Sequence, residues 1–166
     1  MPTEPTPQEL LQMTLEQEQT LQFDTLTRED VWRLGNILAE LTKTCPKPVG
    51  VEIKVNGLML FTYYPEGASE YYRMVLARKH NTANVLEKSS LRLYAECAVS
   101  GLDPAKDMLL DPNRFQFRGG AFPIRLRGGC VVGSVCAAGM AHTEDHALLV
   151  RGLTQFFAEK AAKARA

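Results

Sequence analysis

The clearest fold signal in this chain is the stretch Arg118-Gly-Gly-Ala-Phe-Pro-Ile-Arg-Leu-Arg-Gly-Gly129. Phe122 to Leu126 alternates apolar and polar residues as a strand does, and Gly128-Gly129 predicts a tight hairpin turn. The small apolar residues of Val131–Ala138 then predict a return strand that is buried on both faces. The glycine pair that follows Arg118 can adopt positive φ or let another group approach the backbone. This hairpin therefore either borders a ligand or a subunit contact, or its glycines only shape its turns.

A second hairpin is predicted earlier in the chain. Val51, Ile53 and Val55 alternate with polar residues and fall on one face of a strand. Asn56-Gly57 is the dipeptide most typical of a two-residue hairpin turn, because both residues tolerate positive φ. We therefore expect a return strand from Leu58 to Tyr64.

Capping signals and apolar periodicity predict five helices. The first begins where Thr6 can cap, Pro7 fits the first helical position and Glu9 can complete a capping box. Thr27-Arg-Glu-Asp30 repeats the start signal before an apolar stripe. The predicted helices cover Thr6 to about Gln19, Thr27 to before Pro46, Ala68 to about Asn84, Glu87 to Ser100 with Gly101 as C-cap, and Thr143, as N-cap, to about Lys160.

Two hairpins separated by helices predict an antiparallel sheet with helices packed on its faces, which is an α+β fold. We divide the chain into an N-terminal helix, residues 1–22, and a single α+β domain, residues 23–166. The first helix carries few apolar residues, so it should pack on the body or on a neighbouring subunit. Trp32 lies off the apolar stripe of the second helix and also needs a covering surface. Both features predict a stable homo-oligomer.

The composition argues against several classes of partner. Nineteen basic and nineteen acidic residues cancel in this chain of 166 residues, and no basic run indicates binding to nucleic acid. No apolar run approaches the roughly 20 residues that cross a membrane. The first residues lack the basic and apolar regions of a secretory signal. We therefore expect a cytoplasmic protein that binds neither nucleic acid nor membrane.

The four cysteines predict neither a disulfide nor a metal site. None belongs to a Cys-x-x-Cys pair, which argues against structural zinc. Cys130 and Cys136 fall on one predicted strand, roughly 20 Å apart at ~3.3 Å per residue, which is too far for a bridge. We expect reduced thiols that are mostly buried.

The residues with catalytic potential form no constellation typical of an enzyme. The chain contains no Gly-x-Ser-x-Gly elbow, Walker lysine loop or His-Glu-x-x-His motif. His142 should lie in the loop before the last helix and His146 within it, so a shared metal ion is not favoured. The positive end of the helix dipole explains Glu144 and Asp145. We therefore favour binding or assembly over catalysis, and predict no metal.

Two other clusters have both a functional and a structural interpretation. Arg78-Lys79-His80 is either a small anion clamp or, as we favour, part of a solvated helical face. Four tyrosines either line an aromatic pocket or belong to the core and interfaces, which is the commoner role for such residues. These are Tyr63, Tyr64, Tyr71 and Tyr72.

Several short motifs follow one another in a familiar order. The most specific are Gly119-Gly-Ala-Phe-Pro-Ile-Arg125, Gly139 and Glu144-Asp-His146. Weaker ones are Leu10 through Phe23, Thr27 to Gly35, Val51 to Gly57, Arg78 to Asn81 and Ser89-Ser90. Together they resemble the haem-degrading domain family of HbpS and GlcG type, in particular its largely uncharacterised, UPF-type branch. The resemblance covers nearly the whole chain.

This resemblance implies a profilin-like α+β fold, homo-oligomerisation, and a site where the lysine-bearing helix meets the glycine-rich hairpin. Some relatives bind or degrade haem, so haem or a related molecule is the cofactor that the resemblance implies. Arg118 stands where the branch commonly has histidine, and Val75 where it often has tryptophan. Because of the first departure, we predict weak or no specific haem binding.

We therefore hypothesise an oligomeric domain that binds a small ligand at the glycine-rich hairpin, with no catalytic residue. The candidate ligand-binding residues are Lys79, Asn81, Gly119, Gly120, Phe122, Pro123, Glu144 and His146. The alternative hypothesis is a non-catalytic scaffold or accessory protein in which the same hairpin forms a subunit interface.

Overall fold

A four-stranded antiparallel sheet forms the middle layer of residues 4–166, the part of the chain that the computed structural model describes. The strands are β1 Gly50–Val55, β2 Leu58–Tyr63, β3 Ala121–Arg125 and β4 Val131–Ala138. They lie in the order β2-β1-β4-β3, so the two hairpins join through β1 and β4. Both predicted hairpins and the α+β class are confirmed.

Within residues 4–166, five helices surround this sheet. They are α1 Pro7–Thr20, α2 Arg28–Thr42, α3 Glu70–Leu86, α4 Ser90–Ser100 and α5 His142–Ala164. Helices α2 and α5 pack on one face of the sheet, and α3 packs on the other against β4. Helix α1 packs on α4 of the same chain, where Glu18 pairs with Arg92 at 2.8 Å. The first helix is thus covered by its own chain.

The helix starts confirm two of the predicted caps and correct others. Thr6 and Thr27 each accept a hydrogen bond from a backbone N–H three residues on, and each is completed as a capping box. Thr143 was wrongly predicted as the cap of the last helix. The N-cap is Ala141, two residues earlier, and the helix begins at His142, because the Glu144 carboxylate accepts a hydrogen bond from Ala141 N at 3.1 Å. His142 is therefore helical and does not lie in the preceding loop.

The helix predicted from Glu87 begins later, at Ser90. Glu87 adopts the left-handed conformation with φ 53° and ends α3, so it cannot also start the next helix. Ser89 caps α4 by accepting a hydrogen bond from Arg92 N at 3.1 Å. Gly101 ends that helix with φ 74°, as predicted.

Alternate side chains of β1 and β4 face opposite sides of the sheet. Val51 and Ile53 are fully buried against α2 and α5, in the main hydrophobic core. Glu52, between them, points to the opposite face, where it meets α3. Ser134 and Cys136 of β4 lie on that same face and are also fully buried. The α3 side of the sheet is therefore a buried layer with polar groups in it.

The turn of the first hairpin has the predicted geometry. Asn56 and Gly57 have φ values of 48° and 80°, the positive pair that a type I′ turn requires. The turn of the second hairpin uses Gly128 at φ 69°. Both turns therefore follow from residues that tolerate the left-handed region.

The four cysteine thiols differ in their exposure to solvent. Cys136 is buried and Cys130 is exposed, while the other two thiols are half-buried, so the expectation of mostly buried thiols was wrong. Cys130 precedes β4 at the hairpin turn, which explains its exposure. Among residues 4–166, no helix is long and apolar enough to cross a membrane.

Candidate functional site

A cleft of about 440 Å³ lies where α3 meets the glycine pair and the start of α5. The sequence resemblance implied a site where the lysine-bearing helix meets the glycine-rich hairpin, and that site stays a prediction. We call it the Lys79 cleft. Its wall includes Tyr72, Val75, Lys79, Arg118, Gly119 and His142.

The base of the Lys79 cleft is a buried ion pair. Lys79 Nζ lies 3.0 Å from Asp145 Oδ2 and donates a hydrogen bond to Ala137 O at 2.6 Å. Both charged side chains are only 3% exposed. The favoured interpretation of Lys79 and His80 as part of a solvated face was therefore wrong, since both belong to the inner side of α3.

The glycine pair allows these groups to approach the backbone. Gly120 has φ 114°, and a Cβ atom there would lie 2.3 Å from Lys79 Nζ and 2.6 Å from Ala137 O. A Cβ atom at Gly119 would lie 2.5 Å from the carbonyl oxygen of His142. The glycines therefore hold α3, β4 and α5 together around the cleft, which goes beyond shaping a turn.

Asp145 links this ion pair to the start of α5. Its Oδ1 atom accepts a hydrogen bond from Met140 N at 3.0 Å, while Oδ2 faces Lys79. Burial raises the pKa of the Asp145 carboxyl above its ordinary value, and the neighbouring ammonium of Lys79 offsets only part of that rise. Asp145 and Lys79 together therefore fasten the start of α5 to α3.

His142 is half-buried in the cleft wall with a fixed proton. Its Nδ1 atom accepts a hydrogen bond from Gly119 N at 3.2 Å, which leaves the ring proton of the neutral form on Nε2. Burial lowers the pKa of His142, and the charges of Arg118 and Lys79 lower it further. The neutral ring packs edge-on against Tyr94, with centroids 4.7 Å apart. His142 is thus a neutral Nε2–H donor beside the cleft.

Arg118 is the exposed cation of the cleft. Its guanidinium makes no hydrogen bond or ion pair to any of residues 4–166, although it lines the cleft with Gly119. Lys79 and Asp145 cancel each other, so Arg118 gives the cleft a net positive charge. The arrangement can therefore accept an anionic group through Arg118 and His142.

The predicted site residues divide into two groups. Lys79 and Gly119 line the cleft, and Gly120 lies directly behind it. Asn81 lies two residues after Lys79 on α3 and donates a hydrogen bond to Arg114 O at 2.8 Å, which fastens the loop before β3 to α3. The Glu144 carboxylate accepts a hydrogen bond from Ala141 N at the start of α5 and does not line the cleft. The structure therefore brings three of these residues together.

The remaining candidates face other parts of the molecule. Phe122 and Pro123 are buried within β3, and the Phe122 ring belongs to the main core. His146 lies beside that ring, with 5.9 Å between centroids, and its Nε2 is 2.7 Å from Gln17 Oε1. It borders a separate, mostly apolar cavity of about 650 Å³ between α1, α4 and α5. None of these three residues lines the Lys79 cleft.

A second buried polar cluster, around His80, was not predicted from the sequence. His80 Nδ1 is 2.7 Å from Ser134 Oγ, and its Nε2 is 3.2 Å from Glu52 Oε2. Tyr64 donates a further hydrogen bond to Glu52. Burial alone would raise the pKa of Glu52, but the hydrogen bonds from His80 and Tyr64 outweigh it and lower the pKa. The available signal was the polar residue at alternate strand positions, which places Glu52 and Ser134 on one face.

Among residues 4–166, no group of three His, Cys, Asp or Glu side chains is arranged to hold a metal ion. His142 and His146 are four residues apart on α5, yet their rings have different partners, Gly119 and Gln17. The spacing of these histidines therefore does not create a shared site.

The sheet order, the two hairpins and the cleft beside the glycine pair can now be compared with those of known protein families. A family model described as "Haem degrading protein HbpS-like" matches residues 26–154, and the chain belongs to this family. This finding confirms the family that the sequence motifs indicated.

Within the family, the chain is similar to proteins named UPF0303. The one from Streptomyces coelicolor is 33% identical over 158 residues, which cover 95% of this chain and 98% of the relative. The one from Schizosaccharomyces pombe is 29% identical over 154 residues, which cover 92% of this chain and 86% of the relative. The similarity to the uncharacterised branch is thus confirmed.

Solved structures share the fold. The crystal structure of the Ybr137w protein superposes with a TM-score of 0.84 at 25% identity, and covers 91% of this chain and 89% of its own. A PduOC:heme complex superposes with a TM-score of 0.65 at 18% identity, covering 78% of this chain and 94% of its own. At that identity the second likeness supports the fold alone.

Proposed function

We propose that this protein binds a small organic molecule through an anionic group, with a carboxylate as the simplest case, in the Lys79 cleft. The observation that carries the proposal is that the unpaired cation Arg118 and the neutral His142, with its proton on Nε2, line the same cleft. Charge-assisted hydrogen bonds from such donors are about twice as strong as neutral ones. The Lys79 charge is used inside the protein, so Arg118 supplies the charge for the ligand.

The walls of the cleft favour an organic anion over an inorganic ion. A volume of about 440 Å³ is within the range of small-molecule sites. Tyr71, Tyr72, Val75 and Met140 add aromatic and apolar surface around the polar end. A ligand with a flat or apolar body and one carboxylate would bury its body against these side chains and present its charge to Arg118.

Haem requires a separate test, because the family name and one neighbouring structure refer to it. A histidine that binds haem iron needs an available ring nitrogen. His80 is engaged at both ring nitrogens, by Ser134 and Glu52. The hydrogen bond that His142 Nδ1 accepts from Gly119 N keeps the proton of the neutral ring on Nε2. In His146, Nε2 faces Gln17 and Nδ1 is buried away from the cleft. The histidines therefore do not fit as iron ligands, which supports the sequence-based prediction of weak or no specific haem binding.

The Glu52–His80–Ser134 cluster resembles the order of a hydrolytic triad but does not support turnover. The Ser134 side chain is fully buried between β4 and α3, so no substrate reaches its hydroxyl. A nucleophile must lie within reach of the bond that it attacks. The cluster is better explained as a polar clamp between α3 and the sheet, and we propose binding alone.

The scaffold alternative is favoured by a different observation. Trp32 is 58% exposed and Leu109 is 85% exposed, which leaves apolar surface for an assembly to cover. The glycine pair packs against Lys79 and His142 of its own chain. We propose homo-oligomerisation as a second property, with the contact away from the glycine pair.

Calorimetric titration with benzoate tests the binding proposal, with benzamide as the uncharged ligand of the same shape. We expect benzoate to bind and benzamide to bind far more weakly. Arg118→Gln should weaken benzoate binding about tenfold, which is the loss of ~1.4 kcal/mol from one charge-assisted contact. Arg114→Gln is the matched control, because its exposed side chain lies in the same loop outside the cleft. Equal binding of both ligands, or an unchanged affinity in Arg118→Gln, would contradict the proposal.

A titration with hemin tests whether the protein binds haem. We expect no saturable change in the Soret band of the wild-type protein. A stoichiometric change that His142→Ala abolishes would replace the carboxylate proposal with haem binding.

A further inference from the structure

A second cavity, of about 650 Å³, lies between α1, α4 and α5. It shares only Ala141 and His142 with the wall of the Lys79 cleft, and its volume is within the range of small-molecule sites. We call it the α1 cavity, and its wall includes Leu10, Met13, Gln17, Leu91, Tyr94 and His146. It can therefore hold a molecule independently of the cleft.

The wall of the α1 cavity is apolar over most of its extent. Leu10 of α1 packs with Leu91 and Tyr94 of α4. The charged side chains in the wall, Glu4 and Arg151, have opposite signs and are exposed. A charged molecule would find no buried partner for its charge among these residues, so the cavity favours an uncharged one.

His146 brings one unsatisfied polar atom to this wall. Its side chain is only 1% exposed, and its Nε2–H donates a hydrogen bond to Gln17 Oε1 at 2.7 Å. Burial lowers the pKa of His146 to about 4, so the ring is neutral at pH 7 and its Nδ1 atom is an acceptor. This Nδ1 atom is buried and has no partner among residues 4–166. Since buried polar atoms are nearly always hydrogen-bonded, the missing donor must come from a molecule that enters the cavity.

We propose that the α1 cavity binds an uncharged, mostly apolar molecule whose single N–H or O–H group donates a hydrogen bond to the unpaired nitrogen of His146. A flat aromatic body would pack against Leu91 and Tyr94. Thr143 and Ala147 belong to the same wall and are exposed, so the cavity opens to solvent. This ligand class differs from the anion proposed for the Lys79 cleft, because it needs no cation.

Calorimetric titration of the full chain with indole tests the proposal, with 1-methylindole as the ligand that lacks the N–H donor. We expect indole to bind at one site. The dissociation constant of 1-methylindole should be at least about tenfold higher, although it is the more apolar molecule, because it leaves the histidine nitrogen unpaired. His146→Phe removes the acceptor and should abolish this preference. An excess of benzoate should not displace indole, because the two sites are distinct.

Ala147→Trp is a second variant, which leaves His146 in place and fills the exposed side of the cavity. It should weaken indole binding about tenfold or more. Thr154→Trp is its matched control, because Thr154 is exposed on the same helix but outside the cavity wall, and it should bind indole as the wild type does. Melting curves check that the variants fold. The proposal is overturned if indole does not bind saturably, if Ala147→Trp binds it as the wild type does, or if benzoate displaces it. Equal affinity for indole and 1-methylindole also overturns it, as an ordered water bound to Nδ1 would give.

Discussion

Lys79 and His80 are neighbours on α3, and each anchors a buried polar cluster, but only one of the clusters borders open space. Lys79 and Asp145 lie at the base of a cleft with Arg118 at its rim. His80, Glu52 and Ser134 are sealed between α3 and the sheet. A cluster of buried polar side chains therefore does not by itself identify a binding site. Access decides which of two similar clusters can meet a ligand.

The same contrast recurs on α5. His142 is half-buried at the cleft wall, whereas His146, one turn later, is buried beside Phe122. Glycine makes the open arrangement possible, since Gly119 and Gly120 lie where any side chain would displace α5 or Lys79. The cleft therefore depends on two residues that have no side chain.

Loss of the Lys79 ammonium should have the largest effect on stability. Lys79→Met leaves the Asp145 carboxylate buried without its partner, and we expect unfolding to become about 3–5 kcal/mol easier. Chemical denaturation measures this change. In the double variant Lys79→Met/Asp145→Leu much of the loss should be recovered, because no buried charge remains. A single variant as stable as the wild type would show that the pair is not essential to the fold.

Gly120→Val should rank next. Its φ of 114° and the 2.6 Å approach to Ala137 O leave no room for a branched side chain, and the cost should be about 3 kcal/mol. Gly120→Ala should cost less than the valine. Gly128→Ala is the control, because Gly128 also has positive φ, at 69°, but nothing lies near its Cβ position. A loss of only ~1 kcal/mol is expected there. Equal melting temperatures for the two positions would show that close approach is unimportant.

His146 should make the fold sensitive to acid. Burial lowers the pKa of His146 from an ordinary 6.5 to about 4, and the nearby His142 lowers it slightly further. A lowered pKa means that folding favours the neutral ring. The stabilisation is complete above pH 6.5 and is lost as pH falls toward 4, by about 3 kcal/mol in all.

The measurement is the difference in unfolding free energy between the wild type and His146→Gln across this pH range. Glutamine keeps a hydrogen-bonding group beside Gln17 but does not titrate. The difference should shrink as pH falls from 6.5 to 4. A difference that is constant with pH would mean that His146 is not held neutral by the fold.

Local signals in the sequence predicted most of the fold. Asn56-Gly57 and the capping boxes at Thr6 and Thr27 each fix a backbone geometry within a few residues, and the structure confirms all three. Thr143 failed as a cap because the Glu144 carboxylate accepts a hydrogen bond from Ala141 N, which starts the helix before Thr143. Local rules succeed where the stabilising contacts are themselves local.

The site was less predictable because its contacts are distant in sequence. Lys79 and Asp145 pair across 66 positions, and Glu52 and His80 across 28, so neither their burial nor their partners follow from nearby residues. The glycine pair was the exception. Other atoms approach the backbone closely at Gly119 and Gly120, which requires glycine, and the residue type itself can be seen in the sequence. Arg118 was recognised only as a departure from its branch, and the structure places its charge at the cleft.

The most direct measurement of the central claim is a titration of ¹⁵N-labelled protein with benzoate, followed by amide chemical shifts. The claim is that the open cluster binds a carboxylate and the sealed one does not. We predict saturable shifts at Gly119 and His142, and none of comparable size at His80 and Ser134. Larger shifts at the sealed cluster, or shifts that never saturate, would contradict this account.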